Sequence, residues 1–244
     1  MKRLLCVQHT YAEFLGALEP QFEGRDIGFN YVRPIAGQDV AGTPTQYDAL
    51  WLLGTAFAAA DGARTPWLED EMRLVRAFQN ARRPVVGLGT GAHVLAAANG
   101  AALSAEPEHD AGFTTAAAID GDDPLAQAVD GRRVLVMACG SASLPQGARA
   151  VVADANGRCI AFRTVSPGYG LLFRPELKPG MLEDMAMEED RPLPGHLGEM
   201  IETARTEWPQ MQETTARVAA ALVSALGLMD ERRKPPVIGI VARS

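Results

Sequence analysis

The stretch that most constrains this 244-residue chain is a short apolar run followed by a glycine-rich turn and an alanine-rich segment. Residues 84–88 (Pro-Val-Val-Gly-Leu) have the composition of a buried β-strand, and residues 89–98 that of a tight turn leading into a helix. Such a strand-turn-helix elbow presents one side chain at the carboxyl edge of a parallel sheet, beside the unpaired N–H groups of the helix. The apex residue is Gly89, which suits a strained backbone but has no side chain with which to attack a substrate.

Strand and helix patterns alternate in the first half of the chain. We predict strands at residues 3–8, 27–32, 49–53 and 84–88 and helices at residues 11–18 and 67–78, with a loop at 33–47. This alternation predicts an α/β fold with a doubly wound, mostly parallel sheet that binds ligands at the carboxyl ends of its strands. Short strand patterns between residues 112 and 165 predict a small antiparallel region, and a further strand is predicted at 169–173.

The charge balance and the cysteine count exclude several classes of function. The formal net charge of −7 argues against electrostatic binding of nucleic acid. Three scattered cysteines without a C-x-x-C pair favour neither a disulfide framework nor a structural zinc site, and they fit a reducing cytoplasm. No apolar run approaches the ~20 residues of a membrane-spanning helix. His9, His109 and His196 have no metal-ligand spacing, so we interpret them as surface residues and expect neither a metal nor a cofactor.

The last quarter of the chain differs in character from the rest. An acidic, proline-rich joint at residues 188–195 precedes predicted helices at 197–207 and 209–226, a basic linker at 232–234 and a predicted strand at 237–241. We therefore divide the chain into a domain of residues 1–185 and a helical extension of residues 186–244 that packs on it. The extension is either a surface for a partner or a homodimer, or a set of helices packed on their own core.

The elbow sequence resembles a known family. Residues 87–93 (Gly-Leu-Gly-Thr-Gly-Ala-His) are similar to the G-[IV]-C-x-G-x-Q elbow of class I glutamine amidotransferases, a family with a flavodoxin-like architecture. In this alignment Gly89 replaces the nucleophilic cysteine, and His93 replaces the glutamine that recognises the substrate.

Further similarities flank the elbow in the order in which the family has them. They are Trp51 to Thr55 (a strand ending in Gly-Gly), Pro66 to Leu68 with Glu71 (PWL-x-x-E), Asp110 to Phe113 (E-I-G-W), Cys139 to Ser141 with Leu144 and Pro145 (H-G-D, then L-P), and Phe173 to Glu176 (F-H-P-E). Together they span roughly residues 1–185.

The resemblance implies that the catalytic triad is incomplete. Its three positions fall on Gly89, Arg174 and Glu176, so the nucleophile is absent and a guanidinium replaces the imidazole. Arginine stays protonated and is not a general base, which predicts that glutaminase activity has been lost. Because members of the family deliver ammonia to a synthase, the resemblance also implies a synthetase as a protein partner.

The remaining recess has two interpretations. Helix N-termini and arginine both favour anions, so a small anionic ligand is predicted to bind at Gly54, Thr55, Gly89, Thr90, His93 and Arg174. The other interpretation is an internal ion pair of Arg174 with Glu176 that fills the recess.

Three enzymatic alternatives stay open. The elbow could serve another reaction class, such as a hydrolase or transferase, with Glu176 as acid or base. Cys139 could act as a displaced nucleophile, although a lone cysteine ending a strand is more often a small buried hydrophobe. The alignment could also be displaced on an active amidotransferase, but no cysteine of this chain has the G-x-C-x-G context.

Overall fold

The computed structural model describes residues 1–188 and 191–229, without the side chains of residues 105–109. Its strands are β1 (Lys2–Val7), β2 (Ile27–Val32), β3 (Ala49–Leu52), β4 (Val85–Leu88), β5 (Leu103–Thr115), β6 (Ala117–Ala118), β7 (Arg133–Ala142), β8 (Arg149–Ala153), β9 (Cys159–Arg163) and β10 (Gly168–Leu171). Its α-helices are α1 (Glu19–Glu23), α2 (Leu68–Asn80), α3 (Thr90–Ala98), α4 (Pro124–Val129), α5 (Pro179–Met187) and α6 (Leu197–Ala225).

Eight strands form one mixed sheet in the order β2-β1-β3-β4-β10-β9-β8-β6. The strands from β2 to β10 in this order are parallel, and β9, β8 and β6 continue the sheet in antiparallel fashion. The strands β5 and β7 pair as a separate antiparallel ribbon. The predicted doubly wound, mostly parallel sheet with a small antiparallel region is confirmed. Because β3, β4 and β10 are neighbours and parallel, their carboxyl ends meet at one edge.

Both faces of the sheet are covered, as the apolar runs of the parallel strands require. Along β1, Leu4 and Cys6 enter the core beneath α1, α4 and α6, whereas Leu5 and Val7 enter the core beneath α2 and α3. This alternation follows from the two-residue period of a strand. The sheet is therefore a rigid platform for the loops at its carboxyl edge.

The helix predicted at residues 11–18 is absent, and that prediction is wrong. Residues 11–15 form an irregular loop, a 3₁₀ turn follows at Gly16–Leu18, and α1 begins only at Glu19. Gly16 has a left-handed φ of +48°, and a Cβ atom there would meet the Glu176 carbonyl and lie 2.5 Å from Met181 Sδ. The apolar spacing of this stretch reflects burial of Leu15 and Leu18 in the core.

The two helices predicted in the last quarter of the chain are one continuous helix, α6, with Pro209 inside it. The predicted break is wrong because Pro209 lies on the exposed face, where water can hydrate the carbonyl that loses its N–H partner. Its residues Val218 and Leu222 join the main core. The domain boundary at residue 185 stays a prediction, and residues 232–234 and 237–241 lie outside the described part. No helix of the described part has the length and hydrophobicity to cross a membrane.

Candidate functional site

The turn between β4 and α3 consists of one residue, Gly89, with φ 55° and ψ −124°. Residues with a side chain rarely adopt this conformation, which glycine adopts easily. The Gly89 N–H donates to the Leu171 carbonyl of β10 at 2.7 Å, and its carbonyl accepts from the Ala92 N–H at 2.9 Å. The apex is thus held rigidly at the edge of the sheet and is buried.

The space that a side chain at position 89 would need is filled by Arg174. A Cβ atom built on Gly89 would lie 2.7 Å from Arg174 Nη1 and 2.8 Å from the Met137 carbonyl oxygen. Arg174 follows β10, is 3% exposed, and donates from Nη1 to that same carbonyl at 3.2 Å. The guanidinium therefore occupies the space that a side chain at position 89 would fill.

Gly54, just after β3, makes room for the same guanidinium. A Cβ atom at Gly54 would collide with Glu13 Oε2 and lie 2.5 Å from Arg174 Nη1. The predicted site residues Gly54, Gly89 and Arg174 are thus brought together, and they enclose an ion pair.

Thr55 and Thr90 form a second group at the elbow. The Thr90 hydroxyl donates to the Thr55 carbonyl at 3.0 Å and accepts from the Cys139 N–H at 3.4 Å. Both threonines are buried. The hydroxyl of Thr90 is therefore engaged in linking the end of β3 to β7.

His93, one turn along α3 from Gly89, is buried. Burial lowers the pKa of His93 to about 4, so its imidazole is neutral near pH 7. Its Nδ1 atom has no hydrogen-bond partner among the described residues. The Cys139 side chain is also buried, and burial raises the pKa of its thiol. Neither group is a ready acid, base or nucleophile.

Arg174 belongs to a buried group of charges that we call the ion-pair cluster, made of Glu13, Arg174, Glu176, Glu188 and Arg191. Arg174 donates from Nε to Glu176 Oε1 at 2.5 Å and from Nη2 to Glu13 Oε2 at 2.6 Å. Arg191 donates to Glu13 Oε1 and to Glu188 Oε2, both at 2.5 Å. All but Glu188 are essentially inaccessible to solvent.

The two carboxylates that bind Arg174 differ in their electrostatics. Burial by itself raises the pKa of Glu13, but the charges of Arg174 and Arg191 outweigh burial and lower it to about 2. For Glu176 burial dominates and raises the pKa, because one arginine only partly opposes it. The Oε2 atom of Glu176 has no hydrogen-bond partner among the described residues. Glu13 is thus the main counter-ion of the cluster.

Sequence reasoning missed Glu13 and Arg191. Glu13 stands in the stretch predicted as a helix, and Arg191 stands in the proline-rich joint. Neither carries a motif, and they lie 178 positions apart. Their meeting depends on the fold, so no local signal was available.

The interpretation of His9 as a surface histidine is wrong. His9 is 3% exposed; its Nδ1 lies 2.9 Å from the Leu53 carbonyl oxygen and its Nε2 contacts Glu71 Oε1. Glu71 is the glutamate of the PWL-x-x-E resemblance, and this motif was the sequence signal that could have indicated a role for Glu71. His196 is exposed, as expected, and contacts the Ala111 carbonyl. Within the described residues, no three His, Cys, Asp or Glu side chains form a group that could hold a metal ion.

The parallel sheet, the single-residue turn after β4 and the helix behind it define a class of fold, that of the glutamine amidotransferases. A glutamine amidotransferase from Methylobacillus flagellatus is 17% identical, with a TM-score of 0.79 over 97% of this chain and 98% of its own. One from Thermotoga maritima is 20% identical, with a TM-score of 0.74 over 91% and 98%. A Thermoplasma acidophilum protein, provisionally named as one of the subunits of GMP synthase, is 13% identical, with a TM-score of 0.60 over 95% and 98%.

At these identities the likeness establishes the fold alone. No protein-family profile matches the chain, and no curated protein matches it.

Proposed function

We propose that this chain is a glutamine amidotransferase-fold protein that does not hydrolyse glutamine and serves in binding, regulation or assembly. The observation that carries the proposal is the guanidinium of Arg174 in the space of a side chain at Gly89. A cysteine cannot be accommodated there while Arg174 holds its place. Glycine at position 89 and arginine at position 174 therefore depend on each other, because the arginine fits only where no side chain stands at position 89.

The chemistry of the cluster supports the same proposal. Covalent glutamine hydrolysis needs a thiolate and a base that accepts its proton. Burial lowers the pKa of Arg174, but Glu176 and Glu13 outweigh burial and raise it, so the guanidinium stays charged. Its two carboxylates are then counter-ions rather than groups that orient a base.

The alternative of another reaction class is less well supported. It requires a Glu176 carboxylate that faces an open pocket and is free of Arg174. Glu176 is instead fully buried and bound to Arg174 at 2.5 Å. A carboxylate in this position has no access to a substrate unless the cluster opens.

A synthetase is the partner that we propose. The Thermoplasma protein of the same fold is provisionally named as a subunit of GMP synthase, and a protein that keeps the fold without the chemistry could retain an assembly role. The two interpretations of the C-terminal part, a partner or homodimer surface and extra core helices, are distinguished by co-purification and by light scattering.

The anion site predicted at Gly54, Thr55, Gly89, Thr90, His93 and Arg174 stays a prediction. Two carboxylates already neutralise Arg174, so an incoming anion must displace Glu13 or Glu176. The contacts support the alternative, an internal ion pair that fills the recess. Titration calorimetry with phosphate, glutamate and nucleotides tests this, and a ligand that binds tighter than millimolar would restore the anion site.

Glutamine turnover by the purified protein tests the proposed function. We expect no glutamate release from the wild type and a gain of release in the Gly89→Cys/Arg174→His double variant. The matched control is Arg174→His alone, which frees the space but supplies no nucleophile and should stay inactive. Turnover by the wild type, especially if Cys139→Ser abolishes it, would overturn the proposal.

A further inference from the structure

His9 bonds two different parts of the molecule at once. It follows β1, its Nδ1 atom lies 2.9 Å from the Leu53 carbonyl oxygen after β3, and its Nε2 atom contacts Glu71 in α2. His9 and Glu71 are 3% and 1% exposed. The imidazole is therefore the connection between two strand ends and a helix.

The number of protons in this arrangement follows from the partners. A carbonyl oxygen only accepts hydrogen bonds, so Nδ1 must carry a hydrogen. A second hydrogen must then lie between Nε2 and Glu71, either on the imidazolium or on the carboxyl group. Both contacts exist together only while the His9–Glu71 pair holds this second proton.

Loss of that proton forces a choice between the two contacts. Neutral imidazole carries one hydrogen, which can face Leu53 or Glu71 but not both. A buried carboxylate without a donor costs more free energy than a buried carbonyl without one. The remaining hydrogen should therefore move to Nε2, and the bond to the Leu53 carbonyl should be lost.

The Leu53 carbonyl that loses its bond lies next to the ion-pair cluster. Gly54 follows Leu53 directly and packs against Glu13 and Arg174. A cavity with room for about one water molecule lies beside His9 and is also lined by Thr55 and Glu71. The titratable groups that face His9 are Glu71 of α2 and Glu13 of the loop after β1, both acidic, and Trp67 stacks on the ring.

We propose that the His9–Glu71 pair is a pH-sensitive latch that holds the Leu53 carbonyl, next to the ion-pair cluster, and frees this carbonyl when the pair loses a proton. The proposal goes beyond the binding or assembly role and does not depend on it, because neither Gly89 nor glutamine chemistry enters it. Burial lowers the pKa of His9, but the charge and hydrogen bond of Glu71 and the charge of Glu13 outweigh burial, and the net shift is upward. Release is accordingly expected on the alkaline side of the ordinary histidine range.

The ring nitrogens of His9 in ¹⁵N-labelled protein provide the direct test. Below neutral pH we expect a hydrogen on Nδ1, with the second proton on Nε2 or on Glu71, and we expect conversion to the Nε2–H tautomer as the pH rises. Amide exchange in residues 53–55, corrected for its intrinsic pH dependence, should lose roughly fivefold to tenfold of its protection in the same range. A neutral Nδ1–H form throughout, or protection that does not change from pH 6 to 9.5, would overturn the proposal.

The variant Glu71→Gln separates the latch from ordinary packing. An amide can donate to the bare Nε2 of neutral His9 while Nδ1–H keeps the Leu53 bond, so this variant should keep its protection at every pH. His196→Gln, at the exposed histidine, is the matched control and should follow the wild type. A pH dependence in Glu71→Gln like that of the wild type would contradict the latch, and the wild-type titration decides if this variant does not fold.

Discussion

At the scale of single residues, the site is governed by competition for one small volume. A side chain at position 89 and the guanidinium of Arg174 cannot both occupy the space beside the Met137 carbonyl. Arg174 in turn needs the absence of a side chain at Gly54. These residues therefore act as a unit, and substitutions among them should be non-additive.

Gly89→Ala tests this competition with a single added methyl group. We expect a loss in the free energy of unfolding of about 1–3 kcal/mol from overpacking against Arg174, in addition to the strain of a positive φ. Gly37→Ala is the control, since Gly37 also has a positive φ of +75° but nothing within 4 Å of an added Cβ atom. Urea unfolding measures the free energy of unfolding of both variants. Equal losses in Gly89→Ala and Gly37→Ala would show that Arg174 does not compete for the space.

At the scale of secondary structure, α6 shows how packing overrides a local stop signal. Proline in a helix interior removes a hydrogen bond and usually ends or kinks the helix. Here 29 residues continue through Pro209, because Val218 and Leu222 are anchored in the core on one side and the proline faces solvent on the other.

Pro209→Ala tests whether α6 is one helix. If it is, the free energy of unfolding of the variant should be about 1–3 kcal/mol higher than that of the wild type, because alanine restores the hydrogen bond and has a far better helix propensity. Pro124→Ala is the control, since Pro124 lies in the first turn of α4, where proline is favoured. Thermal unfolding distinguishes the cases: a loss of stability in Pro209→Ala would indicate that Pro209 begins a separate helix.

At the scale of the whole molecule, the ion-pair cluster fastens three distant segments at the sheet edge. Glu13 comes from the loop after β1, Arg174 and Glu176 from the segment after β10, and Arg191 from the connection between α5 and α6. Breaking one partner of a buried pair leaves an uncompensated charge and typically costs about 3–5 kcal/mol. The cluster is therefore a determinant of stability as well as the occupant of the site.

The acid stability of the molecule should depend on Glu13. Its pKa lies near 2 in the folded state against 4.5 for the ordinary group, so its contribution is full above about pH 4.5 and is lost as the pH falls toward 2. Glu176 acts in the opposite direction, because its raised pKa favours the folded state on protonation.

Unfolding of Glu13→Gln across this pH range measures that contribution. The variant should be less stable at pH 7 and should lose less stability between pH 4.5 and 2 than the wild type. Glu69→Gln, at an exposed position of α2, is the control and should retain the wild-type slope. An unchanged acid slope in Glu13→Gln would assign the acid sensitivity to other carboxylates.

Much of the fold was predictable because it depends on short-range patterns. The strand patterns at residues 3–8, 27–32, 49–53 and 84–88 depend on apolar runs and turn residues, and each is a strand of the sheet. The irregular loop that carries Glu13 was not predictable, because its apolar residues are buried at helix-like spacing while Gly16 and the Glu176 carbonyl prevent a helix.

By itself the sequence determined the doubly wound sheet, the turn at Gly89 and the absence of a nucleophile there, because composition and period are local properties. Only the tertiary structure decided what occupies the site. Glu13, Arg174 and Arg191 are far apart in the chain, and their charges tolerate burial only when the sheet edge brings them within hydrogen-bond distance. The contact of His9 with Glu71 has the same origin, since a buried histidine and a buried glutamate each require the partner that the fold supplies.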